Sequence, residues 1–221
     1  SRLNIRQVSY NWTSFAREAF KIWVDIDPLE LRKPTVTPDW PVVADLKDLI
    51  PALLAQPYPG PGAAHREWLD WSRERNRRFP AVLPEYRDHG PLIHPYAAMD
   101  VLFDALDEND IVVTGNGSAC VVSFQAARLR RGQRLWTNSG CATMGYDLPA
   151  AIGAHVASKS QRRVIAIAGD GSIMMNLQEM QTIAGYGMPI KVFLINNRGY
   201  VSIFQTHRNF FNGVEVGGGP K

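Results

Sequence analysis

The sequence predicts an α/β protein in which a Rossmann-like doubly wound parallel sheet is preceded by the tail of a second α/β domain. Two observations favour this fold. Short apolar strands alternate with helical segments from about residue 91 onward. The strand at 163–168 has no polar alternation, as expected when both faces of a sheet are covered. Strands that alternate with helices imply a parallel sheet with right-handed crossovers.

The composition is that of an ordinary globular protein. The 221 residues are 45% hydrophobic and 20% charged, which argues against disorder, collagen and coiled coil. No apolar run approaches the roughly 20 residues that cross a bilayer, and residues 1–20 lack a signal-peptide pattern. Two cysteines are too few for a disulfide scaffold or a metal cage. We therefore expect a cytoplasmic protein that binds neither membrane nor, at a net charge of +3, nucleic acid.

The chain divides into three predicted segments. Residues 1–55 have the pattern of the end of an α/β domain, and residues 56–90 form a Pro/Gly-rich linker followed by a surface helix. Residues 91–221 carry the alternating strands and helices. The linker and the surface helix therefore separate two predicted α/β domains.

Hydrophobic periodicity predicts the individual elements of these segments. The predicted strands are 21–27, 42–44, 110–114, 163–168 and 190–195. The predicted helices are 46–54, 68–79, 96–106, 148–156 and 177–186. The strands at 21–27, 110–114, 163–168 and 190–195 are expected to be buried.

Polar residues follow two of the predicted strands. Asp170 comes shortly after the strand at 163–168, and Asn197 after the strand at 190–195. In a β-α-β unit both strands end at the edge of the sheet where ligands bind, so these side chains can converge. Carboxylate and amide oxygens suit Mg²⁺ or Ca²⁺ rather than zinc. The sequence therefore predicts a divalent cation at this edge.

The residues around Asp170 predict a diphosphate beside the cation. Gly169 and Gly171 leave room for close approach of the backbone. Ser172 is predicted to open a helix whose free N–H groups favour phosphate. Gly-Asp-Gly and Asn-Asn are also ordinary turn sequences. Turn formation, however, does not require both at the ends of successive strands, so the combination favours a ligand site.

Together these motifs resemble the signature of thiamine diphosphate (ThDP) enzymes. Residues 138–153 are similar to the segment that holds the aminopyrimidine in acetolactate synthases, and residues 169–179 also resemble that subfamily. The resemblance covers about residues 90–212, the pyrophosphate-binding domain, and residues 1–55 resemble the C-terminal part of the family's central domain. It implies ThDP- and Mg²⁺-dependent decarboxylation or carboligation of 2-keto acids, in which the cofactor is the electron sink.

The resemblance implies roles for individual residues. The metal ligands would be Asp170, the side chain of Asn197 and the Gly199 carbonyl. The Ala142 backbone would meet the amino group of the pyrimidine, and Met144 would act catalytically by bending the cofactor. The cofactor-binding positions would be Asn116, Gly117, Ser118, Ala142, Met144, Gly169, Gly171, Ser172, Asn197 and Gly199.

Two departures from the family leave the substrate open. The family usually has Gly where Ala142 stands, although a methyl group leaves the carbonyl available. The loop at 115–118 lacks the Gln and His usual in acetolactate synthases. The alternatives are another ThDP-dependent decarboxylase, a carbon–carbon hydrolase, or a non-catalytic nucleotide-binding module. His207, after the Asn-Asn motif, is a candidate to contact the substrate.

The resemblance also implies a larger assembly. In the family, a glutamate that protonates the pyrimidine lies in an N-terminal domain, usually that of the partner subunit. We therefore expect the chain to be a C-terminal fragment that is inactive alone, within a homo-oligomer (dimer or tetramer) whose sites lie between subunits. FAD is a further candidate cofactor, because acetolactate synthases bind it across the central domain, although a relative holds ADP there. The positions that fall near its site are Arg2, Asn4, Arg6, Asp25 and Asp45.

Overall fold

The computed structural model describes residues 3–88 and 90–218, apart from the side chain of Arg6. The chain folds into two compact units, Ser1–Glu74 and Arg75–Lys221. Each unit contains its own parallel sheet. Two of the candidate FAD positions, Arg2 and the Arg6 side chain, lie outside the described part of the chain.

The first unit contains a two-stranded parallel sheet. β1 (Ile22–Asp25) pairs with β2 (Trp40–Val43). Trp23 is the one buried residue of β1, and it packs with Val8, Leu31 and Val36. The prediction that this strand is buried is thus wrong for most of it, because the small cluster covers a single position of β1. The helical segments are α1 (Ile5–Val8), α2 (Leu46–Leu54) and α3 (Ala63–Arg78), with 3-10 turns at Trp12–Ser14 and Glu30–Arg32.

The helix predicted at 46–54 is α2, and its start has a local cause. The Asp45 side chain accepts a hydrogen bond from the backbone N–H of Lys47 at 2.9 Å. Such a cap satisfies one of the N–H groups left free at a helix N-terminus. The helix predicted at 68–79 begins earlier, at Ala63, and takes up the last residues of the predicted linker.

An ion pair holds the start of β1 to the start of β2. Lys21 Nζ lies 2.8 Å from Asp39 Oδ2, and the Lys21 backbone N–H donates to the same oxygen at 2.7 Å. The hydrogen bonds from the side chain and the backbone of Lys21 lower the pKa of Asp39 below its ordinary value of 3.8. The pair therefore stabilises the folded state above the ordinary pKa, and this contribution is lost as the pH falls through the lowered pKa.

Replacing Lys21 with alanine should raise the pKa of Asp39 part of the way back to its ordinary value. The side-chain donor is lost, whereas the backbone donor remains. An NMR titration of the Asp39 carboxyl carbon measures the change. Lys191→Ala, which removes a lysine of the second unit, is the control and should leave the titration in place. An unchanged Asp39 titration in Lys21→Ala would contradict the assignment.

The second unit is built on a four-stranded parallel sheet, as predicted. Its strands are β3 (Ile111–Thr114), β4 (Arg134–Thr137), β5 (Val164–Gly169) and β6 (Lys191–Ile195), in the order β4-β3-β5-β6. Every neighbouring pair is parallel. The periodicity missed β4, because its four residues alternate between exposed and half-buried positions and form no apolar run.

Helices cover both faces of this sheet. They are α4 (Pro95–Asp104), α5 (Gly117–Ala126), α6 (Asp147–Ala157), α7 (Asp170–Ile173), α8 (Glu179–Gly185) and α9 (Val201–Phe210), with 3-10 turns at Pro84–Arg87 and Met174–Asn176. None of the described helices combines the length and the apolar character that a membrane span needs.

The core has two layers because successive residues of a strand point to opposite faces. Val112, Ile165 and Ile167 pack against α4 and α5, where Phe103 is almost fully buried. The alternate residues of the same strands pack on α6 through Ala151. All residues of β5 from Val164 to Ala168 are buried. This arrangement confirms the doubly wound fold.

Two expectations for this unit are wrong. The strand at 190–195 was expected to be buried, but β6 is an edge strand of the described sheet, and Phe193 and Leu194 are 44% and 50% exposed. A helix was expected to open at Ser172. Instead, α7 begins at Asp170, makes one turn, and is followed by a 3-10 turn before α8. The dipole of so short a helix is small, so it contributes little to anion binding.

The strand order fixes where a ligand can bind. The chain passes from β3 to β4 on one side, and then continues on the other side of β3 with β5 and β6. The order therefore reverses between β3 and β5, and ligands of open α/β sheets bind in the crevice outside the carboxyl ends of such strands. The residues after β3, β5 and β6 are the ones that surround this crevice.

Candidate functional site

The Asp170 carboxylate, the Asn197 amide and the Gly199 carbonyl meet at the carboxyl edge of the sheet. Asp170 follows β5 directly, and Asn197 lies two residues after the end of β6. One terminal atom of the Asn197 amide is 3.1 Å from Asp170 Oδ1 and 2.7 Å from the Gly199 carbonyl oxygen. The structure thus brings together the three groups that the sequence analysis named as metal ligands.

The Asn197 amide can take two orientations here, which have different chemical meanings. With its nitrogen inward, the amide donates to Asp170 and to the Gly199 carbonyl. With its oxygen inward, three oxygens face one another, an arrangement that requires a cation between them. One carboxylate, one amide and one carbonyl are the hard oxygen ligands that Mg²⁺ accepts. The donor set therefore fits a hard divalent cation.

Backbone hydrogen bonds hold the Asp170 carboxylate in this position. The N–H of Gly171 donates to Oδ1 at 2.9 Å, and the N–H of Gly199 donates to Oδ2 at 2.8 Å. The loop after β6 reaches Asp170 because Arg198 and Gly199 both have positive φ, 68° and 125°. Of these two, the value at Gly199 is one that few residues other than glycine adopt.

A cavity of about 540 Å³ opens beside these oxygens. Its lining comes from the residues after β5 and β6. Gly171 is packed under the Tyr200 ring, since a Cβ built there would lie 2.5 Å from Tyr200 Cε1. The lining residues are Asp170, Gly171, Met174, Asn196, Arg198, Gly199, Tyr200 and Gly218.

The loop after β3 lies on the other side of the switch point. Gly117, with φ of 58°, begins α5, so Ser118 belongs to the first turn of that helix. Asn116 occupies the N-cap position, but its side chain makes no capping hydrogen bond. Asn116 Nδ2 instead donates to the Ala142 carbonyl at 2.8 Å.

Ala142 has a backbone conformation that favours glycine. Its φ is 55°, in the left-handed region. The carbonyl that was expected to be left for the pyrimidine already accepts the hydrogen bond from Asn116, and a carbonyl oxygen has a second lone pair for another donor. Met144 is half-buried two residues later on the same segment.

A buried carboxylate that the sequence analysis missed connects the loop after β3, the segment after β4 and the loop after β5. Asp147, fully buried at the start of α6, accepts a hydrogen bond from Ser172 Oγ at 2.7 Å. The same hydroxyl accepts from the N–H of Gly145 at 3.0 Å. Asn176 Nδ2 donates to the Gly145 carbonyl at 2.7 Å, so both sides of Gly145, the neighbour of Met144, are held.

These bonds change what Ser172 offers to a ligand. Its side chain is engaged with Asp147 and Gly145, so what it offers a phosphate is its backbone N–H. Gly115 touches the same network, because a Cβ built on it would lie 2.5 Å from Asp147 Oδ2. In the sequence, Asp147 is only an acidic residue at the start of the predicted helix 148–156. Acidic residues at that position are also common in surface helices.

The remaining candidates make contacts within their own segments. His207 is half-buried on α9, with its ring edge-on to Phe211. Cys141 is exposed and lies in a turn of the 138–146 segment. Of the candidate FAD positions, Asp25 accepts from the N–H of Asp27 and Asp45 caps α2.

The comparison with known proteins agrees with this geometry. Residues 115–220 match the family model described as "Thiamine pyrophosphate enzyme, C-terminal TPP binding domain". The matched segment includes the loop after β3, Asp170 and the loop after β6. Within it lie all of the residues that the sequence analysis assigned to the cofactor and the metal.

Several acetolactate synthases are similar to the chain over most of its length. The large subunit of acetolactate synthase isozyme 1 of Escherichia coli (strain K12) is 36% identical over 201 residues, 89% of this chain and 34% of that protein. The probable chloroplastic acetolactate synthase 2 of Oryza sativa subsp. japonica is 33% identical over 90% of the chain and 30% of its own length. The acetolactate synthase large subunit of Cyanidium caldarium is 32% identical over 90% of the chain and 33% of its own length.

The chain spans about a third of the length of these curated relatives. The family model and the relatives cover the sheet, the loop after β3 and the oxygens around Asp170. The chain therefore belongs to the thiamine diphosphate-dependent enzymes and carries their C-terminal TPP-binding domain in an acetolactate synthase-like form.

Proposed function

We propose that the full-length protein is a ThDP- and Mg²⁺-dependent enzyme that decarboxylates 2-keto acids and joins the product to a second carbonyl compound. The observation that carries the proposal is the meeting of the Asp170 carboxylate, the Asn197 amide and the Gly199 carbonyl at the switch point of a TPP-binding domain. With the amide oxygen inward, these groups would form the set of hard oxygen ligands that a cation anchoring a diphosphate needs.

Asp170, the Asn197 side chain and the Gly199 carbonyl would hold the magnesium ion. Mg²⁺ usually completes its shell with phosphate oxygens and water, so a set with a single carboxylate is suited to a diphosphate complex. The Asp170 charge is oriented in advance by the N–H groups of Gly171 and Gly199. The metal would therefore bind together with the cofactor.

Residues on three loops would hold the cofactor. The diphosphate would lie near Gly169 and Gly171, the backbone N–H of Ser172, and the first turn of α5 at Gly117 and Ser118, because the N–H of Gly171 is engaged with Asp170. When bound, ThDP supplies a nucleophilic carbon and an electron sink for the electron pair that remains when carbon dioxide leaves the substrate. The other cofactor contacts proposed are those of Asn116, Ala142 and Met144.

Met144 and Ala142 would set the conformation of the cofactor. Ala142 would offer its carbonyl to the pyrimidine amino group, and the Met144 side chain would pack against the cofactor and restrict its conformation. Gly145, held by Ser172 and Asn176, fixes the backbone from which Met144 projects. The chain's own contribution is thus orientation rather than proton transfer, and we assign no general acid or base to it.

The substrate class rests on the relatives, and the loop after β3 leaves the acceptor open. The relatives are named acetolactate synthases, which favours 2-keto acids. The loop at 115–118, however, lacks the Gln and His that the resemblance expects, so a ThDP-dependent decarboxylase or a carbon–carbon hydrolase is the second candidate. Product analysis with pyruvate, alone and with a second keto acid or an aldehyde, separates these activities.

We further propose a homo-oligomer in which a partner subunit completes each site, because the described residues around the cavity include no glutamate. The molar mass of the full-length protein in solution tests the oligomer.

FAD in the first unit is the weaker part of the proposal, since Asp25 and Asp45 are engaged in local turns. The flavin absorbance of the purified full-length protein tests for FAD.

Isothermal titration with ThDP provides the test of the cofactor assignment. The full-length protein should bind ThDP in the presence of Mg²⁺, and EDTA should abolish the binding, because the diphosphate charge is then left without the metal. Titration of the protein with thiamine in place of ThDP, also in the presence of Mg²⁺, is the control and should give no comparable heat. No binding at millimolar ThDP would contradict the proposal and favour a non-catalytic nucleotide-binding module.

A further inference from the structure

We propose that Asn116 is a positioning residue that fixes the Ala142 carbonyl for the cofactor's pyrimidine ring. The inference rests on the proposed function and departs from the role that the sequence analysis gave to Asn116, which was contact with the diphosphate. Asn116 Nδ2 donates to the Ala142 carbonyl at 2.8 Å across 26 positions of sequence. A side chain engaged in this way reaches away from the helix that follows it.

The conformation of Asn116 supports a function other than helix capping. Asn is among the best N-cap residues, because its side-chain oxygen can accept from a free N–H of the first turn. Asn116 is the N-cap of α5, yet it makes no such hydrogen bond. Its amide is used instead for a contact that ties the loop after β3 to the segment after β4. A second contact ties the same loop to the end of β4, where Thr137 Oγ1 donates to the Gly115 carbonyl at 3.1 Å.

Ala142 is the residue that needs to be held. Its φ of 55° is a conformation in which the Cβ crowds the backbone, so alanine occupies it at a cost that glycine does not have. The N–H of Ala142 is fixed by the Asn138 carbonyl at 2.9 Å. Asn116 then fixes the carbonyl side of the same residue. Without the amide, alanine would relax toward negative φ, and its carbonyl would turn away.

The inference therefore predicts energetic coupling between positions 116 and 142. Glycine at 142 adopts positive φ without strain and should keep the carbonyl in place with or without the amide. A contact of Asn116 with the diphosphate would instead be independent of the residue at 142. The two roles thus differ in a double-mutant cycle.

The test combines Asn116→Ala and Ala142→Gly, singly and together, in the full-length protein. Affinities for ThDP and for inorganic pyrophosphate, both with Mg²⁺, are measured by isothermal titration. Loss of one hydrogen bond should weaken ThDP binding about tenfold in Asn116→Ala. With Gly at 142 the same substitution should cost less than about threefold. Pyrophosphate affinity should stay within about twofold in all variants, because pyrophosphate lacks the pyrimidine.

Gln133→Ala is the matched control. Gln133 Nε2 donates to the Asp107 carbonyl at 2.9 Å, also 26 positions away, but just before β4 begins, at the opposite edge of the sheet. This variant should leave both affinities unchanged. If Asn116→Ala fails to fold, Asn116→Ser retains a good N-cap residue that is too short to reach Ala142, and it should show the same pattern.

Three outcomes would overturn the inference. One is an equal loss of ThDP affinity with Ala and with Gly at 142. Another is a parallel loss of pyrophosphate affinity, which would restore the diphosphate role of Asn116. The third is unchanged ThDP affinity in both Asn116 variants. A parent protein that binds pyrophosphate but not ThDP would contradict the proposed function as well, so the two failures are distinguishable.

Discussion

Asp170→Ala should weaken Mg²⁺-dependent binding of ThDP by a factor on the order of 100 or more, because even residues that merely orient metal ligands cost about 10- to 100-fold when removed. The substitution removes the single carboxylate of the proposed metal site. It also leaves the N–H groups of Gly171 and Gly199 without their acceptor, so the loop after β6 loses its tie to β5. Catalytic activity that depends on ThDP should fall with the binding.

Two further variants separate charge from structure. Asp170→Asn keeps an oxygen that can accept from Gly171 or Gly199 but lacks the negative charge, so it should also lose the metal while the melting temperature changes little. Asp70→Ala removes an exposed carboxylate of α3, which pairs with Arg73 at 3.6 Å. This variant should change neither the Mg²⁺-dependent ThDP affinity nor the melting temperature. Isothermal titration and thermal denaturation of the full-length variants measure both effects. ThDP affinity and turnover retained in Asp170→Ala would rule out the metal assignment.

The Asp170 pair was predictable because its signal is local. A buried strand that ends in glycine and a polar residue can be read from a few neighbouring letters, and two such strands in succession share an edge by the geometry of parallel sheets. The structure accordingly places Asn197 within 3.1 Å of Asp170. The β3 and β5 strands were also predictable from local sequence, since both of their faces are covered and, apart from Thr114 at the end of β3, no polar residue interrupts them.

The missed features depend on contacts between distant positions. Position in the sheet decides whether β6 is buried, and the sequence of Phe193 and Leu194 is the same for a central or an edge strand. The sequence alone leaves the Ser172 hydroxyl free for a phosphate. In the structure this hydroxyl donates to Asp147, 25 positions earlier. Asn is a common helix N-cap residue. That the Asn116 side chain donates to the Ala142 carbonyl instead depends on the fold.

Gly115→Ala should destabilise the second unit by about 1–3 kcal/mol, the usual cost of forcing extra atoms into a packed site. The added Cβ would lie 2.5 Å from Asp147 Oδ2 and 3.4 Å from Ser172 Oγ. Asp147 is fully buried and bonded to Ser172, so its carboxylate cannot move aside without breaking that contact. Because Ser172 also holds Gly145, ThDP affinity should fall along with stability.

Gly153→Ala provides the opposite control for this prediction. Gly153 lies in the middle of α6 with nothing within 4 Å of its would-be Cβ, so alanine there should raise stability by up to about 1 kcal/mol through helix propensity. Thermal and urea denaturation of the full-length protein measure both variants, which should shift in opposite directions. Asp147→Ala removes the obstructing carboxylate, so adding it to Gly115→Ala should cost less than the sum of the two single substitutions. Strict additivity, or a Gly115→Ala protein as stable as the parent, would mean that the loop after β3 does not press on Asp147, and that the buried carboxylate is not what joins the loops of the site.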